Sequence, residues 1–185
     1  MHPTVREFVR NNIASVDHGR VLEVGAYNVN GGIRDLFVKC DRYITSDMRS
    51  GPGVDVVVNA ERLEVAFGQR YFHVVVTTEM LEHALDWHGA VLGMDKVLRG
   101  GGTFLLTTRS PGFPLHDYPG DHWRFTGDDL RKIYEDCYNI LILETDTHPG
   151  HPGIFMLAEK KSSLNPDLVN EIKVSPVALE RVEAQ

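Results

Sequence analysis

Residues 19–37 read GRVLEVGAYNVNGGIRDLF, an apolar run that passes through a carboxylate and a glycine into a polar loop. The run predicts a strand over Arg20–Val24, and the helical spacing of the apolar residues after the loop predicts a helix over about residues 32–39. Ligands of open α/β sheets lie outside the carboxyl ends of the strands, and a glycine there lets a ligand approach the backbone. The stretch therefore predicts a cofactor site at Gly25.

The same residues indicate the kind of cofactor. A dinucleotide site has the pattern G-x-G-x-x-G, because a pyrophosphate lies against bare backbone at the start of a helix. This chain has Gly25, Tyr27 and Asn30 in that frame, so two of the three glycines are absent. Glu23 would repel a pyrophosphate but can accept hydrogen bonds from an ammonium or hydroxyl group. The loop therefore favours a cationic, phosphate-free nucleoside.

The loop E-V-G-A-Y-N-V-N-G-G resembles the first motif of class I S-adenosylmethionine-dependent methyltransferases, and it is most similar to the methyltransferase type 11 group. Four segments that resemble motifs of this family follow one another in the family's order over roughly residues 20–160. The resemblance implies a Rossmann-like, doubly wound α/β fold with a seven-stranded, mostly parallel sheet and an antiparallel last strand. It also implies S-adenosyl-L-methionine as cofactor and S-adenosyl-L-homocysteine as product.

Length and composition predict one globular domain, since 185 residues with 42% hydrophobic and 24% charged residues can bury a core. We expect this domain over residues 1–160, with an N-terminal amphipathic helix over residues 3–16, followed by a charged tail over residues 161–185. The sequence has no long apolar run and no signal-peptide core, which predicts a cytoplasmic protein without a membrane span. Cys40 and Cys137 are expected as free thiols.

Two further patterns concern the end of the domain. Thr126, followed by acidic residues, predicts the N-cap of a helix. Apolar runs over residues 139–144 and 154–159 predict two strands that form a closing hairpin.

Asp47 ends the next predicted strand, twenty-two residues after Gly25. This spacing sets a carboxylate beside the first loop, where it can accept hydrogen bonds from both ribose hydroxyls of a nucleoside. Met48 is expected to pack on the adenine face. The resemblance extends the adenine contacts to Asn59, Ala60 and Glu61.

Residues 77–83, Thr-Thr-Glu-Met-Leu-Glu-His, follow a β-branched strand and resemble the family's fourth motif. The backbone carbonyls of Thr77 and Thr78 are expected to accept hydrogen bonds from the methionine ammonium. Glu79 and His83 are four residues apart, which predicts that they share one face of a helix; alternatively, His83 packs within the fold. The predicted cofactor-binding residues are Glu23, Gly25, Ala26, Tyr27, Asp47, Met48, Asn59, Ala60, Glu61, Thr77, Thr78 and Glu79.

Residues 109–126 form a predicted loop that is rich in proline and glycine and also in polar side chains, which is typical of a functional loop. Its H-x-Y-P-x-D-x-W-R pattern resembles a segment of type 11 relatives, which implies that it covers the acceptor side of the pocket. The candidate catalytic residues are His83, His116, Asp121 and His122, and the candidate acceptor-binding residues are Tyr118 and Arg124. The alternative is a buried polar network in which Asp121 pairs with Arg124. A metal site formed by His116, Asp117, Asp121 and His122 is a minor alternative, but their spacing matches no recognised zinc pattern, so no metal site is predicted.

Together these residues predict transfer of a methyl group by in-line displacement, mainly through proximity and orientation of donor and acceptor. The net charge of −7 disfavours broad nucleic-acid binding and favours a small-molecule or saccharide-like acceptor. A nucleotide or a modified base in nucleic acid remains the alternative acceptor. An NAD(P)-dependent oxidoreductase or epimerase and a non-catalytic methyltransferase-like binding or regulatory module remain the alternative functions.

Overall fold

The computed structural model describes residues 2–13, 19–28, 31–116, 120–146 and 148–177. The strands of the main sheet are β1 Arg20–Val24, β2 Arg42–Asp47, β3 Val56–Val57, β4 Phe72–Thr78, β5 Leu98–Arg109, β7 Tyr138–Thr145 and β8 Gly153–Lys160. Their order in the sheet is β3-β2-β1-β4-β5-β8-β7. A separate two-stranded sheet pairs β6 Trp123–Arg124 with β9 Ser175–Pro176.

The directions of the strands confirm the predicted fold class. The five strands from β3 to β5 are parallel to their neighbours, and β8 runs antiparallel to both β5 and β7. The predicted hairpin near the end of the domain is therefore present as β7 and β8. The sheet is the seven-stranded, mostly parallel sheet with an antiparallel last strand that the sequence predicted.

The register of the central strands brings three loops together. Val24 at the end of β1 pairs with Ser46 of β2 on one side and with Thr77 of β4 on the other. The strand order also reverses between β1 and β4, and an open parallel sheet forms its ligand crevice at such a point. The loops that begin after these strands therefore converge on one crevice.

Helices cover both faces of the sheet. Their bounds are α1 Pro3–Ile13, α2 Leu63–Phe67, α3 Trp87–Val97, α4 Gly127–Tyr134 and α5 Pro166–Glu171. One core holds the apolar face of α1 against side chains such as Leu105 and Phe155, and the other core holds residues from α3, α4 and α5. The longest of the described helices have 11 residues, so none of them is long enough and apolar enough to cross a membrane.

The predicted helix over residues 32–39 is wrong. The described chain contains only a single 3-10 turn there, Arg34–Leu36. Gly31 has φ +101°, a left-handed conformation that a right-handed helix does not use. A single turn forms too few hydrogen bonds to propagate into a longer helix. The apolar spacing nevertheless identified core residues, because Ile33 and Phe37 are buried against α1 and the sheet.

The predicted helical face shared by Glu79 and His83 is also wrong. Glu79 has φ +52°, which breaks the chain direction directly after β4. Only a 3-10 turn, Leu81–His83, follows. The reason is a tertiary contact. The Glu79 N–H donates to the Thr107 carbonyl of the neighbouring strand at 2.9 Å, and the chain does not enter a helix at this residue.

Helix α4 begins as predicted. Thr126 is its N-cap, and its hydroxyl accepts from the Asp129 N–H while the Asp129 carboxylate accepts from the Thr126 N–H at 2.9 Å. This capping box satisfies two backbone donors that the helix leaves free.

The described part of the segment after Lys160 packs on the domain, although its composition predicted a tail. Leu164, Val169 and Val174 are buried in the core beneath α3, and β9 pairs with β6. These three apolar side chains hold the segment against the domain, and the charged overall composition of the segment did not indicate them. Residues 178–185 of the expected tail lie outside the described residues.

Candidate functional site

A cavity of about 1220 Å³ opens at the carboxyl ends of β1, β2 and β4. Eleven of the twelve predicted cofactor-binding residues line it. They are Glu23, Gly25, Ala26, Tyr27, Asp47, Met48, Asn59, Ala60, Glu61, Thr78 and Glu79. The cavity continues past Met80 to His83, His116 and His122, so the candidate cofactor end and the candidate acceptor end share one space.

The turn after β1 requires a glycine. Gly25 has φ +78°, and a Cβ atom at this position would lie 2.5 Å from the Cβ of Met80. The N–H groups of Gly25 and Ala26 both donate to the Ser46 carbonyl of β2, at 2.9 and 3.0 Å. These bonds hold the turn against the end of β2 and leave bare backbone facing the cavity.

Asp47 joins the two loops at the cofactor end. One carboxylate oxygen accepts from the Tyr27 N–H at 3.2 Å, and the other accepts from the Arg49 N–H at 2.9 Å. The carboxylate therefore orders the loop after β1 and the loop after β2 while it lines the cavity. Its remaining lone pairs can accept further hydrogen bonds.

Glu23 is a buried carboxyl group on the cavity wall, and the Tyr43 hydroxyl donates to it at 2.8 Å. Burial raises the pKa of Glu23 to about 7, although the Tyr43 hydrogen bond and the Arg34 charge act in the opposite direction and Asp55 raises it further. A cation in the cavity would favour the ionised form.

Thr77 does not line the cavity. Its side chain is buried behind the wall, and its hydroxyl donates to the Val24 carbonyl of β1 at 3.0 Å. Its neighbour Thr78 lines the cavity. The alternation of side chains along β4 separates the two threonines, and the predicted role of the Thr77 backbone carbonyl stays a prediction.

Glu79 has a cationic partner that the sequence analysis missed. The guanidinium of Arg109, at the end of β5, forms an ion pair with Glu79 and lies 3.5 Å from Asp146. Arg109 also lines the cavity, and burial lowers its pKa to about 10. Its position as a charged residue at the end of an apolar strand was the sequence feature that could have identified Arg109 as a site residue. This end of the cavity therefore offers both a cation and carboxylates.

Two of the candidate catalytic histidines have a polar neighbour at the Nδ1 atom. The His83 Nδ1 contacts the Gly120 carbonyl, and the His116 Nδ1 lies 2.9 Å from a carboxylate oxygen of Asp121. The two rings meet edge to face, with centroids 4.7 Å apart. Burial lowers the pKa of His116, outweighing the Asp121 charge, so its imidazole is neutral at pH 7.

His122 also lines the cavity, and its ring makes no hydrogen bond to another described residue. Asp121 lies behind His116 rather than on the wall. The remaining acceptor-side candidate, Tyr118, lies outside the described residues.

Arg124 is part of a buried polar network and does not line the cavity. Its guanidinium forms a bidentate pair with Asp121, one arm at 2.6 Å, and also donates to the carbonyls of Phe113 and Pro114. The Trp123 indole N–H donates to the Ala84 carbonyl at 2.9 Å. The predicted role of Arg124 in acceptor binding is thus replaced by the network that the sequence analysis kept as the alternative.

A second group of histidines, His2, His148 and His151, lies close together, and His2 lines the same cavity. The ring of His2 lies 4.5 Å from that of His151, and His151 lies 4.8 Å from His148, measured between centroids. Burial lowers the pKa of His2 to about 4, so this ring is neutral at pH 7. Sequence analysis gave these residues no role, since His2 precedes α1 while His148 and His151 lie in the distant loop between β7 and β8.

Comparisons with known proteins find no matching family model and no matching curated protein. Solved structures do match. The 1,6-didemethyltoxoflavin-N1-methyltransferase of Burkholderia thailandensis, solved with 1,6-didemethyltoxoflavin and S-adenosylhomocysteine bound, has a TM-score of 0.64 and 16% identity, over 86% of this chain and 78% of that one. An S-adenosylmethionine-dependent methyltransferase from Clostridium acetobutylicum has a TM-score of 0.64 and 11% identity, over 88% of this chain and 93% of that one.

The [4+2]-cyclase SpnF has the same TM-score, 0.64, at 13% identity, over 86% of this chain and 82% of that one. The shared architecture therefore accommodates more than one chemistry. At these identities the comparisons establish the architecture alone. The chain has the class I S-adenosylmethionine-dependent methyltransferase fold.

Proposed function

We propose that the protein binds S-adenosyl-L-methionine in this cavity and transfers its methyl group to a small-molecule acceptor. The observation that carries the proposal is the continuity of one cavity from the Gly25 turn and Asp47 to three histidines. A cofactor end and an acceptor end in one space are what in-line transfer requires.

The residues at the cofactor end match the chemistry of this ligand. Asp47 accepts hydrogen bonds from the ribose hydroxyls. Met48 and residues 59–61 contact the adenine. The ligand carries an ammonium, a sulfonium and a carboxylate. Glu23 and Glu79 attract its cationic groups, and Arg109 pairs with its carboxylate.

When bound, S-adenosylmethionine supplies a methyl group whose bond to sulfur breaks as the acceptor's lone pair forms the new bond, leaving neutral S-adenosylhomocysteine. Rigid walls at the strand ends hold donor and acceptor in line. His122 takes the proton of an acceptor that must lose one, because both of its ring nitrogens are free of hydrogen bonds to described residues. Asp121 is a positioning residue, since it acts through His116.

The acidic balance of the chain, 26 acidic against 19 basic residues, supports a small or saccharide-like acceptor over a nucleic acid. No feature of the described residues favours the nicotinamide-dependent or non-catalytic alternatives.

Calorimetric titration with S-adenosylmethionine, S-adenosylhomocysteine and NADH tests the cofactor. We expect both adenosyl ligands to bind and NADH not to bind. Transfer of a labelled methyl group to a panel of hydroxylated small molecules and saccharides then tests the acceptor class. Binding of NADH alone, or of none of the three, would contradict the proposal.

The affinity for S-adenosylmethionine is expected to rise about tenfold between pH 6 and pH 8. Glu23 has a pKa of about 7 without ligand. The cationic ligand favours its carboxylate, so binding below pH 7 must also expel a proton. Affinity is therefore lost as the pH falls through 7. Calorimetry at both pH values measures the change, and the Glu23→Gln variant should lack it. An equal change in that variant would assign it to another group.

A further inference from the structure

Three side chains at the acceptor end form a cluster with metal-ligand chemistry. Glu82, His83 and His116 each offer one ligand atom, and these atoms all lie within 4.8 Å of one another. Glu82 and His83 lie in the 3-10 turn after β4, and His116 lies in the loop after β5. The sequence analysis predicted no metal site, because it considered the residues of the 116–122 loop alone and their spacing matches no zinc pattern.

The buried carboxylate of Glu82 indicates that a cation binds in this cluster. Its side chain is 0% exposed, and one carboxylate oxygen accepts from the Thr108 hydroxyl at 2.9 Å. The other oxygen, Oε1, is buried without a hydrogen-bond partner among the described residues. A buried carboxylate oxygen is costly to leave unpaired, and a bound cation would satisfy it.

The two histidines are oriented as metal-binding histidines usually are. A ligating imidazole typically has its other ring nitrogen held by a carbonyl or a carboxylate, which fixes the tautomer and the ring plane. The Gly120 carbonyl does this for His83, and the Asp121 carboxylate lies 2.9 Å from the His116 Nδ1. The Nε2 lone pair of His83 is then available to a cation, and the neutral ring of His116 also carries a lone pair on one of its nitrogens.

We propose that Glu82, His83 and His116 bind a divalent first-row transition-metal ion at the acceptor end of the cavity. Two imidazoles and one carboxylate leave coordination positions open, and this ligand set suits Zn²⁺, Co²⁺, Ni²⁺ or Fe²⁺ better than Mg²⁺ or Ca²⁺. His83 and His116 both line the cavity, so an ion bound to them would be accessible to an acceptor in it.

The role that we assign to this ion in methyl transfer depends on the proposed function. An acceptor hydroxyl that binds the ion through its oxygen becomes more acidic, so it can release its proton at neutral pH. The proton passes to the His122 imidazole, which becomes imidazolium, and the oxygen keeps the electron pair with which it attacks. His83 and His116 act as ligands in this arrangement and not as bases.

Metal titration of the chelator-stripped protein tests the site directly. We expect one equivalent of Co²⁺ to bind, with visible d–d absorption bands, and Zn²⁺ to displace it. The His116→Ala and Glu82→Gln variants should bind Co²⁺ about 100-fold or more weakly. The matched control is His148→Ala, which removes a histidine of the second group, His2, His148 and His151, and should leave the affinity unchanged.

The titration needs no S-adenosylmethionine, so its outcome is separate from that of the proposed function. Circular dichroism identifies any variant that fails to fold, and Glu82→Gln preserves the volume of a buried residue. Failure of the wild-type protein to bind Co²⁺, equal binding by the two ligand variants, or loss of binding in His148→Ala would overturn the metal site. Metal binding without S-adenosylmethionine binding would support the site and contradict the methyltransferase proposal.

Discussion

Replacing Asp47 with alanine is expected to weaken binding of S-adenosylmethionine by about 100-fold or more, because hydrogen bonds to a charged group contribute about 1.5–3 kcal/mol each. The variant loses the acceptor for the ribose hydroxyls. It also loses the two hydrogen bonds that order the loops after β1 and β2, since the carboxylate oxygens accept from the Tyr27 and Arg49 N–H groups. Calorimetric titration measures the loss.

The matched control for this prediction is Asp136→Ala. Asp136 is an exposed carboxylate just beyond α4 and does not line the cavity, so its removal changes the net charge equally without touching the loops. We expect wild-type affinity in this variant. Asp47→Asn should fall between the two, because an amide oxygen still accepts hydrogen bonds. An Asp47→Ala affinity within about threefold of wild type would show that the cofactor does not use this carboxylate.

Replacing Asp121 with alanine is expected to lower the free energy of unfolding by about 3–5 kcal/mol. The Asp121 and Arg124 side chains are 0% and 5% exposed and form a bidentate pair. Removing the carboxylate leaves a guanidinium buried with no opposite charge in contact among the described residues. Urea denaturation followed by the fluorescence of Trp87 and Trp123 measures the change.

The control for this prediction removes both charges. The double variant Asp121→Leu/Arg124→Met replaces the pair with apolar side chains, and it should recover much of the lost stability because no unpaired charge remains buried. A loss below about 1 kcal/mol in Asp121→Ala would mean that water or another group solvates Arg124.

The partial success of the sequence analysis has a physical pattern. Gly25 and Asp47 were identified because a strand, a turn and the carboxylate of the next strand are local features whose meeting follows from parallel pairing. The helix predicted over residues 32–39 failed because apolar spacing reports burial and does not guarantee a helical backbone. Ile33 and Phe37 are indeed buried, but the chain reaches them through a left-handed Gly31 and a 3-10 turn.

The sequence by itself predicted the closing hairpin and most of the residues that line the candidate cofactor end, since these depend on strand patterns and on residues at strand ends, and its resemblance to a known family implied the architecture. Only the tertiary structure decided the partners of the charged groups. The Arg109–Glu79 ion pair joins the ends of two adjacent strands, and the Glu82 cluster joins one of those ends to a distant loop. Such contacts depend on how segments far apart in sequence meet across the sheet, and this meeting leaves no periodic signal in the chain.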